Sequence, residues 1–412
     1  MRRLSILLAT ATLTACGGHA SPAGPWATFN GADQPLVGRV WSADRDAFLD
    51  TDDLIDALAG TDVVVLGEKH DNPDHHRLEA WILERLPTLG AVAFEMLDED
   101  DAEPLAKGPN TAAELATAVG WEDSGWPHFV IYEPVFAVAL ARAAQLVAAH
   151  PSRGRLRDIM KKGLRLDPLL KLDPLSPDEG AQLEQEIRET HCGYAPEKMI
   201  GPMADAQRFK DAWMAARAVE VPAPRVLLAG AGHARRDIGV PLYLRRQGAG
   251  RVLSVAFVEV RAGVDAPGAY QPERFDFVFF TPRLEDADPC ERFRSQLEQM
   301  GAMHAPAGPS ATPGAADAVP TARRCTVYRA GNAEVSREAA GETAVGDAST
   351  TAIVIVTEDV AAEVPDDGVE AACAARAAER CGAQTGPDAC RFEVHAAEPG
   401  GWDAARPLGA TE

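Results

Sequence analysis

The chain is 412 residues long, 46% hydrophobic and 25% charged, with a net charge of −22. That length exceeds one average domain, and the composition is that of a globular protein. So acidic a surface repels a phosphate backbone, which argues against nucleic acid as a partner and favours cationic or neutral ligands.

The first residues have the layout of a secretory signal over 1–15: basic Arg2 and Arg3, an apolar stretch from Leu4 to Leu13, and the close Leu13-Thr14-Ala15-Cys16. The close resembles a bacterial lipobox, so Cys16 is expected to become the lipid-bearing first residue. The apolar run is shorter than the ~20 residues that span a bilayer. The expectation is a chain anchored to a bacterial membrane by lipid, facing the periplasm, with the outer membrane as its place. Residues 16–35 are rich in Gly, Pro, Ala and Ser and read as a tether.

A helix is predicted at Thr51–Leu58. Asp62-Val63-Val64-Val65-Leu66-Gly67 is the continuous β-branched run of a strand covered on both faces. His75–Leu86 reads as a helix and Ala91–Glu95 as the next strand, a βαβ unit that argues for α/β architecture. The middle, 110–222, reads as mostly helical: an Ala- and Val-rich segment Val135–Ala149, a helix start at Ser176-Pro177-Asp178-Glu179, and helical apolar spacing from Met199 to Ala218. Strands return at Arg225–Gly230, Val252–Val260 and Phe275–Phe280, giving at least five. The predicted fold is α/β: a mixed, mainly parallel sheet flanked by helices, with a helical insertion, over residues 36–300. Residues 301–322 turn to Ala, Pro, Gly and Thr and read as a linker. Residues 323–412 hold one good strand at Thr351–Val356, an Ala-rich helix around Val369–Arg380 and four cysteines, and read as a small Cys-rich α+β domain of unknown role.

The chemistry concentrates at strand ends. Gly67-Glu68-Lys69-His70-Asp71-Asn72-Pro73, then His75-His76-Arg77, closes the first long strand, where open α/β sheets bind ligands. Gly67 allows close approach of a backbone or ligand. Glu68 and His70, two residues apart, are suited to metal binding, acid–base work or holding a cofactor. Gly230-Ala231-Gly232-His233-Ala234-Arg235 has the same form, strand then glycine then histidine, and Phe94-Glu95-Met96 adds a carboxylate at a third strand end. Three such strand ends point to one shared rim more strongly than any one alone.

The run Val63–Leu78 resembles the opening motif of the ChaN family, which stands with Tiki-type and erythromycin-esterase-type proteins. Further segments agree in order over about 36–300: Trp126 with Tyr132-Glu133-Pro134, His191-Cys192-Gly193, Ala206-Gln207-Arg208 with Asp211 and Met214, Gly232-His233-Ala234-Arg235 before Gly239-Val240-Pro241, and Phe280-Thr281-Pro282-Arg283 with Pro289-Cys290. The stretch Leu146–Arg153 stands where the family has a strand but is weak as one, and Ala231 stands where the family tends to be polar.

The resemblance implies a dimeric lipoprotein that binds haem in iron uptake, with envelope haem-uptake proteins as further partners. The cofactor-binding residues it suggests are Glu68, His70, His76, Tyr132, His233 and Arg235, with haem iron held through Tyr132 or His70. Lys69, Arg77 and Arg235 are cations for the propionates or plain surface ion pairs, and His191 beside Cys192 is a metal pair or a packed neighbour of a disulfide. Two other readings stand. One is a metal-dependent hydrolase of the Tiki or esterase type, with Glu68, His70, Glu95 and His233 as ligands or general base. The other is a structural lipoprotein whose tail binds envelope partners. With Cys16 lipidated, Cys192 and Cys290 are the two cysteines inside the matching domain, and Cys325, Cys373, Cys381 and Cys390 lie beyond the linker. In an oxidising compartment a Cys192–Cys290 disulfide leaves no odd thiol, against the alternative of two buried free thiols.

Overall fold

The computed structural model describes residues 19–285 apart from 165–169, 171 and 173, with 290 and 294 and the backbone of three later strands. In chain order the elements are β1 (Val40–Ser42), β2 (Ala47–Leu49), α1 (Thr51–Ala59), β3 (Val63–Glu68), α2 (Pro73–Arg85), β4 (Ala91–Asp98), α3 (Ala102–Ala106), α4 (Ala112–Ala118), α5 (Trp121–Ser124), α6 (Phe129–Ala141), β5 (Gln145–His150), α7 (Arg153–Lys162), α8 (Pro177–Thr190), α9 (Glu197–Val219), β6 (Arg225–Gly230), α10 (Val240–Arg246), β7 (Val252–Glu259) and β8 (Phe277–Thr281). They build one eight-stranded sheet in the order β2-β1-β8-β7-β3-β6-β4-β5. From β8 to β5 every pairing is parallel, while β1 runs antiparallel to both β8 and β2. The α/β class with a mainly parallel sheet is therefore as the sequence predicts. Beyond the linker, β9 (Arg323–Ala330), β10 (Ala352–Val360) and β11 (Cys390–Ala396) form a separate antiparallel sheet, β10-β9-β11.

Alternation along the strands sorts side chains onto two cores. Val64, Leu66, Val92, Phe94, Val226 and Leu228 face α1, α2 and α6. Val63, Val65, Ala91, Ala93, Leu227 and Ala229 face α9 and α10. On the first side Phe94 stacks on Phe136 with ring centroids 4.4 Å apart, and Trp121 packs edge-on against Phe136. The same alternation decides where the carboxylates at the strand ends go. Glu68 continues the Val64–Leu66 set and turns toward α2 and α6, whereas Glu95 continues the Ala91–Ala93 set and turns toward α9.

Four expectations change. The segment Val135–Ala149 is not one helix: α6 stops at Ala141, Ala143 takes a left-handed φ of 52°, and β5 follows as an edge strand parallel to β4. Alanine favours helix, but Leu146, Val147, Ala148 and Ala149 gain a sheet partner and two covered faces, and packing overrides propensity. The strand that looked weak in sequence is thus present. The short strands β1 and β2 were not foreseen at all. The stretch read as a tether is packed from residue 19 on: Ala27 and Thr28 are buried, Asp74 accepts from both their backbone N–H groups at 2.8 Å, and Asn30 bridges Arg283. Proline, glycine and alanine there make a fitted strap rather than a free spacer.

Cys192 and Cys290 form a disulfide, with Cα atoms 5.7 Å apart, inside the ~7 Å that the bond allows. The signal segment, Cys16, the linker 301–322 and the helix expected around 369–380 lie outside the described residues. No described helix is long and apolar enough to cross a membrane.

Candidate functional site

Three adjacent strands, β3, β6 and β4, bring Glu68, Gly230 and Glu95 to one rim, with Glu68 in register with Gly230. Asn72 caps α2 by accepting from Asp74 N–H at 2.9 Å, and Pro73 starts the helix, so the chain turns sharply between Glu68 and Pro73. That turn holds His70 over the ends of β3 and β6. Gly230 makes room for the ring, and Gly67 for the turn after β6. A Cβ on Gly67 would lie 2.6 Å from Ala234 Cβ, and one on Gly230 would lie 2.9 Å from His70 Nε2.

His70 stands between the two carboxylates. Its Nδ1 lies 2.6 Å from Glu68 Oε1, and its Nε2 lies 3.9 Å from Glu95 Oε2. The short contact makes Nδ1 the protonated, donating nitrogen and leaves the lone pair on Nε2 when the ring is neutral. The side chain is 24% exposed, while Glu68 is sealed, and the ring meets Trp126 edge-on at 4.8 Å. Burial opposes charge on His70, but the hydrogen bond to Glu68 and the charges of Glu68 and Glu95 raise its pKa overall.

Below His70 lies a sealed polar layer. Tyr132, on α6 and fully buried, donates its hydroxyl to Glu68 Oε1 at 2.7 Å. Burial and the Glu68 charge push that phenol well above its ordinary pKa. His76, on α2 and fully buried, has Nε2 at 3.0 Å from the His70 carbonyl oxygen and Nδ1 at 2.9 Å from Glu68 Oε2 and 3.2 Å from Glu79 Oε2. Burial disfavours its charge, but Glu68 and then Glu79 outweigh it and push its pKa up to about 10. Burial also opposes ionisation of Glu68, yet His76 and His70 hold its carboxyl well below the ordinary value. Glu79 goes the other way, raised well above by burial and by the Glu68 charge.

On the opposite face of the sheet, His233 is held at both nitrogens. Nε2 lies 3.1 Å from Glu95 Oε1 and Nδ1 lies 2.6 Å from Asp211 Oδ1. Burial opposes its charge, but Glu95 and Asp211 push its pKa up to about 9, so it is an imidazolium at neutral pH. Burial raises Asp211 itself, so the His233 charge rests first on Glu95, which stays well below its ordinary value despite burial. Glu95 Oε2 accepts in addition from Gly230 N–H at 2.7 Å.

Glu68, His70, Glu95 and His233, named from the sequence, therefore meet as one chain of contacts through Glu95. His76 and Tyr132 join it from below, both out of reach of solvent. Arg235 does not join: it is buried and paired with Asp237 at 2.7 Å and with Glu186. Lys69 pairs with Glu259 at 3.1 Å and Arg77 with Asp74 at 3.3 Å. His191 caps α8 through Nδ1 at 2.8 Å from the Ile187 carbonyl oxygen, which suits a packed neighbour of the disulfide. His75, beside His76, accepts from Lys69 N–H and meets Thr281 Oγ1 at 2.9 Å, a structural role. Sequence reading did not assign roles to Glu79, Trp126, Lys210 or Asp211. Glu79 sits three residues after His76 on a helix, a spacing that brings two side chains together and was the available signal. Lys210 lies close enough to lower Glu95 and Asp211 by its charge.

A cleft of about 520 Å³ lies elsewhere, along the edge strand β5 with α3 and α9. It is lined by Ala, Leu, Val, Gly and Pro with Gln145, Arg217 and Glu220, and offers no His, Tyr, Cys or Met to an iron.

Comparison with known proteins agrees with this architecture. Residues 54–244 match the family model described as haem-binding uptake, Tiki superfamily, ChaN. A solved structure described as cofacial haem binding to ChaN of Campylobacter jejuni is 24% identical, with 58% of this chain and 95% of that chain covered and a TM-score of 0.50. The type III effector HopBA1 aligns at 14% identity over 56% of this chain and 92% of its own, with a TM-score of 0.31. No curated protein matches the chain.

Proposed function

The domain around residues 54–244 belongs to the ChaN haem-binding family of the Tiki superfamily, and from that premise we propose that the chain binds haem at the rim over β3, β6 and β4, with His70 as the iron ligand. The observation that carries the reading is the state of His70: Nδ1–H is tied to a buried carboxylate, while Nε2, 3.9 Å from Glu95 Oε2, keeps its lone pair on a partly exposed ring beside Trp126. A carboxylate behind an imidazole fixes its tautomer and orientation and makes the other nitrogen a stronger donor. Tyr132, the alternative ligand, has its oxygen engaged by Glu68 beneath the surface. Haem, when bound, would supply an iron centre held through His70.

His70 would hold the iron, and Trp126, whose ring meets that of His70 at 4.8 Å, would offer an apolar edge to the macrocycle. His233 and Glu95 fix the floor and are not themselves ligands while both His233 nitrogens are engaged. Dimerisation through this face, with one haem per protomer, would give the cofacial pairing reported for the C. jejuni protein. Lipid attachment through Cys16 and a role in iron acquisition at the envelope complete the proposal, on the strength of the lipobox-like start of the chain.

Haemin titrated into the purified protein tests the reading. The expected result is a shifted Soret band that saturates near one haem per chain; no spectral change at micromolar haemin contradicts it. The convergence of Glu68, His70, Glu95 and His233 also favours a second reading, metal-dependent hydrolysis. Ester or peptide turnover that is lost in Glu68→Gln, with no haem uptake, would select it.

A further inference from the structure

We propose that the sealed layer under His70 is a divalent-metal site, with His76 Nδ1, Glu68 Oε2 and a Glu79 carboxylate oxygen as its ligands. The site does not depend on the haem reading: it shares Glu68 with the rim, but His76 and Glu79 lie beneath it, sealed from solvent.

The argument begins with a tautomer. His76 Nε2 faces the carbonyl oxygen of His70 at 3.0 Å, and a carbonyl oxygen only accepts, so Nε2 carries the hydrogen. In the neutral ring that leaves the lone pair on Nδ1, aimed at two carboxylates. A lone pair against the Glu68 anion is repulsive, and a proton on Nδ1, a proton donated by Glu79 or a metal ion relieves it. Backbone carbonyl, then imidazole, then cation is the arrangement that orients metal-bound histidines generally.

The carboxylates give the second observation. Glu68, His76 and Glu79 are all buried, and one ligand atom from each lies within 4.8 Å of the others, which makes this a three-ligand group among the described residues. Glu68 Oε2 and Glu79 Oε1 accept no hydrogen bond although both are sealed from water. A proton on Nδ1 faces Glu68 Oε2 at 2.9 Å but leaves Glu79 Oε1 without a donor, and an unpaired acceptor in a low-dielectric interior is costly. A divalent ion satisfies them together.

The spacing fits with small adjustment. Ligand atoms around a tetrahedral zinc at 2.0–2.1 Å stand roughly 3.3 Å apart. Nδ1 already lies 2.9 Å from Glu68 Oε2 and 3.2 Å from Glu79 Oε2. One nitrogen and two carboxylates suit zinc, manganese or ferrous iron and disfavour soft-metal selection. The Tyr132 ring, 3.9 Å from the His76 ring between centroids, and the Tyr132 hydroxyl on Glu68 Oε1 hold the set in place. The consequence for the rim is indirect: the ion would fix Glu68, and Glu68 fixes His70. In that sense His76 and Glu79 are positioning residues.

Equilibrium dialysis of the metal-stripped full chain against Zn²⁺ or Mn²⁺, in the absence of haem, tests the proposal by metal analysis alone. One ion per chain is expected for the wild type and for Glu95→Gln. Glu79→Gln should weaken retention by more than about tenfold, since even outer-shell partners of metal sites cost that much. No stoichiometric ion in the wild type overturns the proposal, as does loss in Glu95→Gln with retention in Glu79→Gln, which moves the ion to the rim. Should Glu79→Gln fail to fold, X-ray absorption of the zinc-loaded wild type decides. One imidazole with oxygen ligands at about 2.0–2.1 Å supports the site, and two imidazoles or a sulfur overturn it. The haem titration is read on another chromophore, so either proposal can fail without the other.

Discussion

His70 and His233 arise from the same sequence pattern, a strand that ends in Gly-x-x-His, and the fold gives them different states. His70 has a close carboxylate on Nδ1 at 2.6 Å and a distant one on Nε2 at 3.9 Å, with a quarter of its side chain exposed. His233 has a carboxylate at each nitrogen, 3.1 and 2.6 Å away, and is buried. The first is a donor held ready for a ligand, and the second is a fixed cation that balances two buried acids. Motif form therefore does not assign role; the closeness of the second carboxylate and the burial of the ring do.

The comparison breaks most severely at Glu68, which serves His70, His76 and Tyr132 together. In the metal-free chain Glu68→Ala leaves a buried imidazolium without its main partner, and loss of one member of a buried ion pair costs about 3–5 kcal/mol. Chemical denaturation should show that loss. A change below about 1 kcal/mol would mean that His76 is neutral in the folded protein.

A pH series sharpens the His233 side. Its folded pKa of about 9 stands above the unfolded value of about 6.5. The folded state thus holds the proton more tightly, and the stabilisation is complete below about pH 6.5. It is lost as pH rises toward 9, on the order of 3 kcal/mol in all. Glu95→Gln removes the first cause of that shift, so the variant should lose less stability across the same window. Equal slopes for the two proteins would contradict the assignment of the charge to Glu95. The His76 shift to about 10 contributes in the same direction at higher pH and is common to both proteins.

Gly230→Ala is the finest probe. The new methyl would lie 2.9 Å from His70 Nε2 and 3.8 Å from Glu95 Oε2, so His70 must swing outward. Overpacking of that kind costs about 1–3 kcal/mol, and the expected functional result is weaker haem uptake with His233 undisturbed. Retained affinity in a folded variant would show that His70 moves freely.

The centre of this molecule was legible in the sequence, and its margins were not. Val63–Glu68, Ala91–Glu95 and Arg225–Gly230 are apolar runs that only a doubly covered strand satisfies, and neighbouring parallel strands deliver their last residues to one rim. Glu68, His70, Glu95 and His233 follow from that geometry. β5 was hidden because Gln145–His150 is alanine-rich and its strand identity comes from pairing with β4. Residues 19–35 were hidden because their partners, Asp74 and Arg283, lie far along the chain. The lower layer was half legible: Tyr132 and His76 were named, but only packing shows that both are sealed and that Glu79 joins them. Tyr132 remained the competing iron ligand because a sequence does not reveal which hydroxyls are already engaged.

The most direct test of the account is haemin titration of the wild type beside His70→Ala and Tyr132→Phe, followed by the Soret band. His70→Ala should lose the shifted band or bind haemin at least tenfold more weakly, while Tyr132→Phe, which keeps the ring and the core, should retain it. Loss in Tyr132→Phe with retention in His70→Ala would contradict the assignment of His70 and return the iron to the tyrosine.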